Sequence, residues 1–221
     1  MLNDYVKALG DVKGKVDSVL DLGCGFGGIT LLTQGYFGAA KAYGVDRTEA
    51  TLAKAEARGV QTMRVNLDHE PVPLNDGQLD LVICNGVIEH LSFYDNALAE
   101  AHRLLKPNGY LVISMPNLGN YIQRISLLLG YQPSDVSVSH VVQVGTIFGA
   151  GWDSVGHAHS ATMRAMKQLL PYYGFDIVSI RKGRPRLIGP YRRWGLPIKV
   201  LGYILPAGFV RRLIYVSRKR A

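Results

Sequence analysis

Along most of the chain, short apolar runs alternate with amphipathic stretches. A leading helix over residues 4–9 precedes an apolar run at 19–21 that stops at Gly23, which predicts a first strand. Residues 29–34 continue as a helix, and 42–45 read as a second strand closed by Asp46. Residues 48–57 form an alanine-rich helix, with Thr48 at the N-cap and Gly59 as terminator. Strands follow at 61–65 and 79–85, the latter almost continuously apolar, as a parallel strand covered on both faces should be. A helix at 97–105, a turn at Lys106-Pro107-Asn108-Gly109, a strand at 110–114, a helix at 162–173 and strands at 175–180 and 213–217 complete the pattern. Strands alternating with helices at this spacing predict a doubly wound, mostly parallel α/β sheet. Residues 118–161 break the rhythm. Rich in Gly, Ser, Val and His, with little charge and no sustained periodicity, they predict an insertion over the sheet edge within a single domain spanning 1–221.

Composition narrows the class. A chain of 221 residues with 48% hydrophobic and 19% charged positions can bury a substantial core, which excludes wholesale disorder. No apolar run reaches the ~18 residues of a membrane span, and the N-terminus lacks the pattern of a signal peptide. Two cysteines, Cys24 and Cys84, are too few for a disulfide scaffold, so the expected compartment is the cytoplasm. The net charge of +8 is segregated: residues 1–180 carry a balance of −4, whereas 181–221 hold 12 Lys and Arg and no acid. A positive charge concentrated in this way points to an anionic partner.

The stretch Val19-Leu20-Asp21-Leu22-Gly23-Cys24-Gly25-Phe26-Gly27-Gly28 runs from a strand through a glycine turn into a helix. Glycine is required where the backbone takes positive φ or a ligand approaches the main chain, and the helix start behind it offers unpaired N–H groups. Gly23, Gly25 and Gly28 satisfy the dinucleotide pattern G-x-G-x-x-G, while Gly23, Gly25 and Gly27 equally satisfy the G-x-G-x-G of S-adenosylmethionine (SAM) enzymes. Asp46 suits ribose hydroxyls in either case. Asp21, two residues before the first glycine, suits an amino-acid ammonium and would repel a pyrophosphate, which favours SAM.

With YGVD at 43–46, Asn-Leu-Asp at 66–68, LDLVICNGVIEHL at 79–91 and LLKPNGYLVISMPN at 104–117, the chain resembles the class I SAM-dependent methyltransferases. The branch it is most similar to contains the ubiquinone-biosynthesis and related small-molecule and lipid-modifying enzymes. The resemblance is strong over residues 15–117. It implies a Rossmann-like, seven-stranded sheet whose last strand is antiparallel. It also implies that Asp21, Gly23, Cys24, Gly25 and Gly27 hold the methionine end, that Asp46 takes the ribose with Arg47 beside the adenine, and that Asn85, Gly86 and Val87 line the sulfonium. Asn66, Leu67 and Asp68 fall where the family reads the adenine amino group, with Asn66 and Asp68 both open as the reader. The ends of the strands are where open α/β sheets bind ligands.

Methyl transfer needs alignment above all, and a base only if the acceptor is a hydroxyl that must lose its proton. His90 is the best-placed base, next to Glu89, with His157 facing the acceptor pocket by resemblance and His140 and His159 as further candidates. Metal-assisted relatives carry a second acid three residues before the glutamate. Here that position is Gly86, so no metal is expected. His157-Ala158-His159 puts both imidazoles on one side of an extended strand, which is two ligands without an obvious third. Tyr121, Tyr131 and Trp152 are candidates for the wall of an apolar acceptor pocket.

The resemblance implies that the last two strands form a hairpin, with residues 183–210 as its enlarged connection; this stretch is basic and apolar, with Tyr191, Trp194, Tyr203 and Phe209. Three uses compete: a lid on an anionic membrane surface through 181–221, nucleic-acid binding through arginines and stacked aromatics, and a packed helix with solvated ends. The long apolar run is not needed for phosphate binding, which ranks nucleic acid below the membrane. The expectation is a SAM-dependent methyltransferase acting at oxygen on a small or lipid-linked acceptor. The alternatives are an RNA methyltransferase, a SAM-binding regulator without turnover and, lowest, an NAD-dependent oxidoreductase.

Overall fold

Leu79–Asn85 (β4) and Ser18–Leu22 (β1) lie side by side at the centre of the sheet, and β1 is buried at every position. The computed structural model describes residues 2–147, 156–183 and 204–221. Lys41–Asp46 (β2) and Gln61–Arg64 (β3) extend the sheet on one side, and Leu105–Pro116 (β5), Arg212–Lys219 (β7) and Phe175–Gly183 (β6) on the other. The order is β3-β2-β1-β4-β5-β7-β6. The first five strands are parallel, and β7 runs antiparallel to both β5 and β6. This is the seven-stranded, Rossmann-like sheet that the sequence resemblance implies.

Side chains alternate between two cores, as the period of a strand dictates. Val82 and Cys84, Leu111 and Ile113, and Leu213 and Tyr215 point to one face, which is covered by Asp95–Leu104 (α4) and Met163–Tyr172 (α6). Leu81 and Ile83, Tyr110 and Val112, and Ile214 and Val216 point to the other. There Leu2–Leu9 (α1) contributes Tyr5, Ala8 and Leu9, and Gly28–Phe37 (α2) contributes Ile29 and Leu32. Two covered faces explain why the central strands read as continuous apolar runs.

One local expectation is corrected and two are refined. The turn at 106–109 is absorbed into β5, because Leu105 already pairs with Leu79. The register slips between Leu79 and Leu81, and Asn108 takes a φ of 64° to accommodate it. Thr48 sits at the N-cap of Glu49–Glu56 (α3), but its side chain makes no cap bond; its N–H instead donates to Asp46 Oδ1 at 3.0 Å. The insertion holds a helix, Tyr121–Leu128 (α5), started by Asn120, whose side chain accepts from the N–H groups of Ile122 and Gln123.

Candidate functional site

The glycine turn leaves β1 with Gly23, Gly25 and Gly27 all at positive φ (77°, 51° and 75°). A Cβ on Gly23 would stand 2.3 Å from a Val87 methyl, so the crossing of the turn over the end of β4 tolerates glycine alone. The Gly23 and Cys24 N–H groups both donate to Val45 O, which pins the turn to β2. Asp46 completes the clamp: Oδ2 accepts the Gly25 N–H at 3.1 Å and Oδ1 that of Thr48. Each carboxylate oxygen keeps a lone pair for a ligand hydroxyl.

Beyond this clamp lies a crevice of about 390 Å³ at the C-terminal ends of β1, β2 and β4. Eight residues expected from the sequence line it: Gly23, Asp46, Arg47, Asn66, Leu67, Asp68, Val87 and His90. Thr48, Thr51, Val65 and Leu91 line it too and were not foreseen. Their only signal is adjacency to predicted residues or, for Thr51, one helical turn from the N-cap. Asn66 Oδ1 is occupied by the Asp68 N–H, and Asp68 Oδ1 by the Ser92 N–H at 2.6 Å. Both residues line the crevice, and the Asn66 side-chain nitrogen and the second Asp68 oxygen have no partner among the described residues.

The other expected cofactor residues stand behind the crevice wall. Asp21 is 2% exposed and accepts the Thr30 hydroxyl at 2.7 Å; burial pushes its carboxyl up to about 7. The Cys24 side chain packs with Leu52, Ala55 and Val60, and burial holds its thiol near 12, so this residue offers a ligand its backbone alone. Gly25, Gly27, Asn85 and Gly86 lie at or just after the ends of β1 and β4 and do not themselves line the crevice.

Next to the crevice, a short 3-10 turn over Ile88–His90 gathers ionisable groups. His90 Nδ1 lies 2.9 Å from Gly156 O, which fixes Nδ1 as the donor and leaves Nε2 as the free lone pair. The His157 ring meets His90 edge to face, with centroids 4.7 Å apart. Glu89 is 2% exposed, with Oε1 at 3.4 Å from Arg212 Nη2. Burial raises its carboxyl above the usual range, against the pull of Arg212, and burial likewise lowers His157. Glu89 Oε2 and His157 Nδ1 are buried without hydrogen-bond partners. Glu89, His90 and His157 thus present donor atoms within 4.8 Å of one another, a set that could hold a divalent cation among the described residues. The sequence reading considered the pair His157 and His159 instead, and the structure separates them. His159 stacks on Phe93 at 5.5 Å and lines a second, apolar recess of about 430 Å³ with Leu118 and Leu169. His140 is exposed, Tyr131 is 44% exposed, Tyr121 is half-buried with an unpartnered hydroxyl, and Trp152 lies outside the described residues.

Arg212, Ser114 and Asp135 escaped the sequence reading. Asp135 anchors the insertion: its Oδ2 accepts from the side-chain amides of Asn120 and Gln123, and Arg211 stands at 3.8 Å.

Residues 20–113 match the family described as a methyltransferase domain. A probable S-adenosylmethionine-dependent methyltransferase of Mycolicibacterium smegmatis is 37% identical over 103 residues, 45% of this chain and 38% of that protein. The ubiquinone biosynthesis O-methyltransferase of Acinetobacter baylyi is 32% identical over 122 residues, 52% of this chain and 50% of its own length. The chain spans half or less of these curated relatives. The crystal structure of an S-adenosylmethionine-dependent methyltransferase from Mesorhizobium loti superposes over 98% of both chains with a TM-score of 0.63 at 18% identity, a likeness of fold.

Proposed function

We propose that this chain, which carries the methyltransferase domain of the class I SAM-dependent family, transfers a methyl group from SAM to an oxygen of a small or lipid-linked acceptor. The observation that carries the reading is the crevice in which Asp46, the Gly23–Gly27 turn and the 66–68 stretch converge. The residues fit the cofactor. Asp46 offers two oxygens to ribose hydroxyls, Leu67 an apolar face to adenine, and Asn66 and Asp68 a polar edge. Asp21 behind the turn offers a carboxylate to an ammonium, and the bare glycines let the ligand reach the main chain. When bound, SAM supplies an electrophilic methyl group on a sulfonium.

The protein's own contribution is placement and proton management. His90 lines the crevice with Nδ1 held on Gly156 O, so its Nε2 can accept the proton that a hydroxyl acceptor releases. Buried Glu89 and half-buried His157 stand beside it. Val87 and Leu91 give the acceptor an apolar approach. In this reading residues 1–221 act as one domain, with an insertion from 118 to 161. Methyl-labelled SAM incubated with extracts of the source cells, followed by mass spectrometry of labelled products, tests the activity directly. Absence of label in any small-molecule or lipid fraction, with SAM bound, would leave a regulator and overturn the transferase reading.

A membrane surface is a second element of the proposal. No helix among the described residues is long and apolar enough to cross a membrane. The outer side of α5 and its end nevertheless expose Ile125, Leu128 and Leu129, spaced as one helical face, at 48%, 84% and 59%. Such a face suits the interfacial layer of a bilayer. The basic connection follows Gly183, and residues 184–203, with Tyr191, Trp194 and Tyr203, lie outside the described residues.

A further inference from the structure

Two kinds of arginine occur near the sheet, and their hydrogen bonds tell them apart. Arg103 uses all five of its donors: Nε and Nη2 on Glu100, Nη1 on Asp76 and Leu74 O, and Nη2 again on Val72 O, all between 2.6 and 2.9 Å. It is a closed, structural group. Arg212, at the first residue of β7, is not closed. Its Nε donates to Ser114 Oγ at 2.9 Å and Nη2 to Ser114 O at 3.2 Å. Its one carboxylate, Glu89 Oε1, stands at 3.4 Å, too long for a strong charged bond. Nη1, with two N–H groups, has no partner among the described residues, and 21% of the side chain remains accessible.

The position of this guanidinium is as informative as its unused donors. A Cβ on Gly86 would lie 2.9 Å from Arg212 Nη2, so the charge sits over Gly86 at the end of β4, the residue before Val87 of the crevice wall. The groups around it are Glu89, His90 and His157. The nearby Asp135 is engaged by Asn120, Gln123 and Arg211. Desolvating a guanidinium is costly unless an anion completes it.

We propose that Arg212 is an acceptor-binding residue, and that the acceptor carries a carboxylate which the Nη1 donors of Arg212 hold beside the reacting atom. This rests on the methyltransferase reading above and adds the chemical class of its acceptor. A carboxylate fits better than a phosphate dianion. The site offers one guanidinium with two spare donors, and Glu89 next to it repels a second negative charge.

The test is titration calorimetry on the full chain with saturating S-adenosylhomocysteine, using three probe pairs: benzoate, phenylacetate and hexanoate, each against its primary amide. At least one carboxylate should bind tenfold or more tightly than its amide. R212Q should weaken that carboxylate at least tenfold and the amide less than twofold, and R212K should keep part of the preference. E89Q removes the competing carboxylate and should tighten binding three- to tenfold, a gain that loss of packing could not produce. S-adenosylhomocysteine affinity, measured in each protein, reports separately on the methyltransferase reading. The proposal falls if no pair is discriminated, if R212Q binds the carboxylate like the wild type, or if E89Q weakens it. It also falls if the carboxylates bind only with added Zn²⁺ in a manner abolished by H157A and untouched by R212Q, for then Glu89, His90 and His157 hold a metal that carries the anion.

Discussion

The buried carboxyl of Asp21 makes the stability of the unliganded protein depend on pH in an unusual direction. Desolvation pushes this group from its ordinary 3.8 to about 7, with the Thr30 hydroxyl opposing the rise and Asp46 adding to it. Between those values the folded chain holds a proton that the unfolded chain has released, so stability falls as pH rises through this window. From pH 5 to pH 8, with a folded value near 7 and about 1.4 kcal/mol per pH unit, the loss is on the order of 2–3 kcal/mol. Asp21→Asn keeps an acceptor for Thr30 and removes the titration. Urea unfolding of both proteins at pH 5 and pH 8 should therefore show the variant gaining on the wild type by roughly 2–3 kcal/mol at the higher pH. Cofactor binding should move the other way: Asn cannot neutralise an ammonium, and SAM affinity should fall at least tenfold. Parallel pH profiles for the two proteins would refute the reasoning, because the carboxyl would then titrate alike in the folded and unfolded chains.

Asp46→Ala removes the acceptor for two loop N–H groups as well as the ribose contact; calorimetry should show SAM binding lost, and unchanged affinity would remove Asp46 from the site. Gly174→Ala places a Cβ 2.6 Å from His102 Nε2 at a φ of 80°, so thermal unfolding should show a loss of about 2 kcal/mol or more. Adding His102→Ala should restore the steric part alone, and no restoration would mean the clash is relieved elsewhere. Chelation with EDTA should leave the rate of methyl transfer within twofold; a tenfold loss restored by a divalent cation would make Glu89, His90 and His157 a metal site. Flotation with anionic liposomes should recover the wild type and fail for Leu128→Glu/Leu129→Glu, and equal recovery of both would exclude this face as the contact.

The sheet was legible because both of its faces are covered, which leaves an apolar signature along each central strand. The glycine turn, Asp46 and residues 66–68 were legible because each follows directly from the strand that presents it. What escaped has physical causes. The buried face of α5 carries Gln123 and Ser126 as well as Ile122, while Leu127 and Leu128 face outward. Hydrophobic periodicity is therefore blind to this helix, which polar bonds to Ser134 and Asp135 hold in place. Arg212 is separated from Glu89 by 123 positions, and the antiparallel register of β7 on β5 alone brings them together. Pairings of that kind leave no trace in local pattern.

The segregated charge changes meaning once these contacts are seen. Seven of the twelve basic residues after position 180 lie in the described structure, and six are engaged within the fold. Arg181 pairs with Asp11, Lys182 donates to Leu205 O, Arg211 faces Asp135, Arg212 binds Ser114 and Glu89, Lys219 donates to His102 O and Leu105 O, and Arg220 pairs with Asp176. Arg218 is exposed. The excess is thus two populations. One locks the terminal hairpin to the sheet and, through Arg212, brings a positive charge beside Glu89 at the end of β4. The other, Arg184, Arg186, Arg192, Arg193 and Lys199, belongs to the connection outside the described residues. An anionic surface could draw on this second population and on exposed Arg218, since moving the other six would mean breaking the ion pairs and carbonyl contacts that hold β6 and β7. Salt sensitivity of membrane binding should then follow the five connection residues and Arg218, while salt sensitivity of folding follows the ion-paired Arg181, Arg211, Arg212 and Arg220.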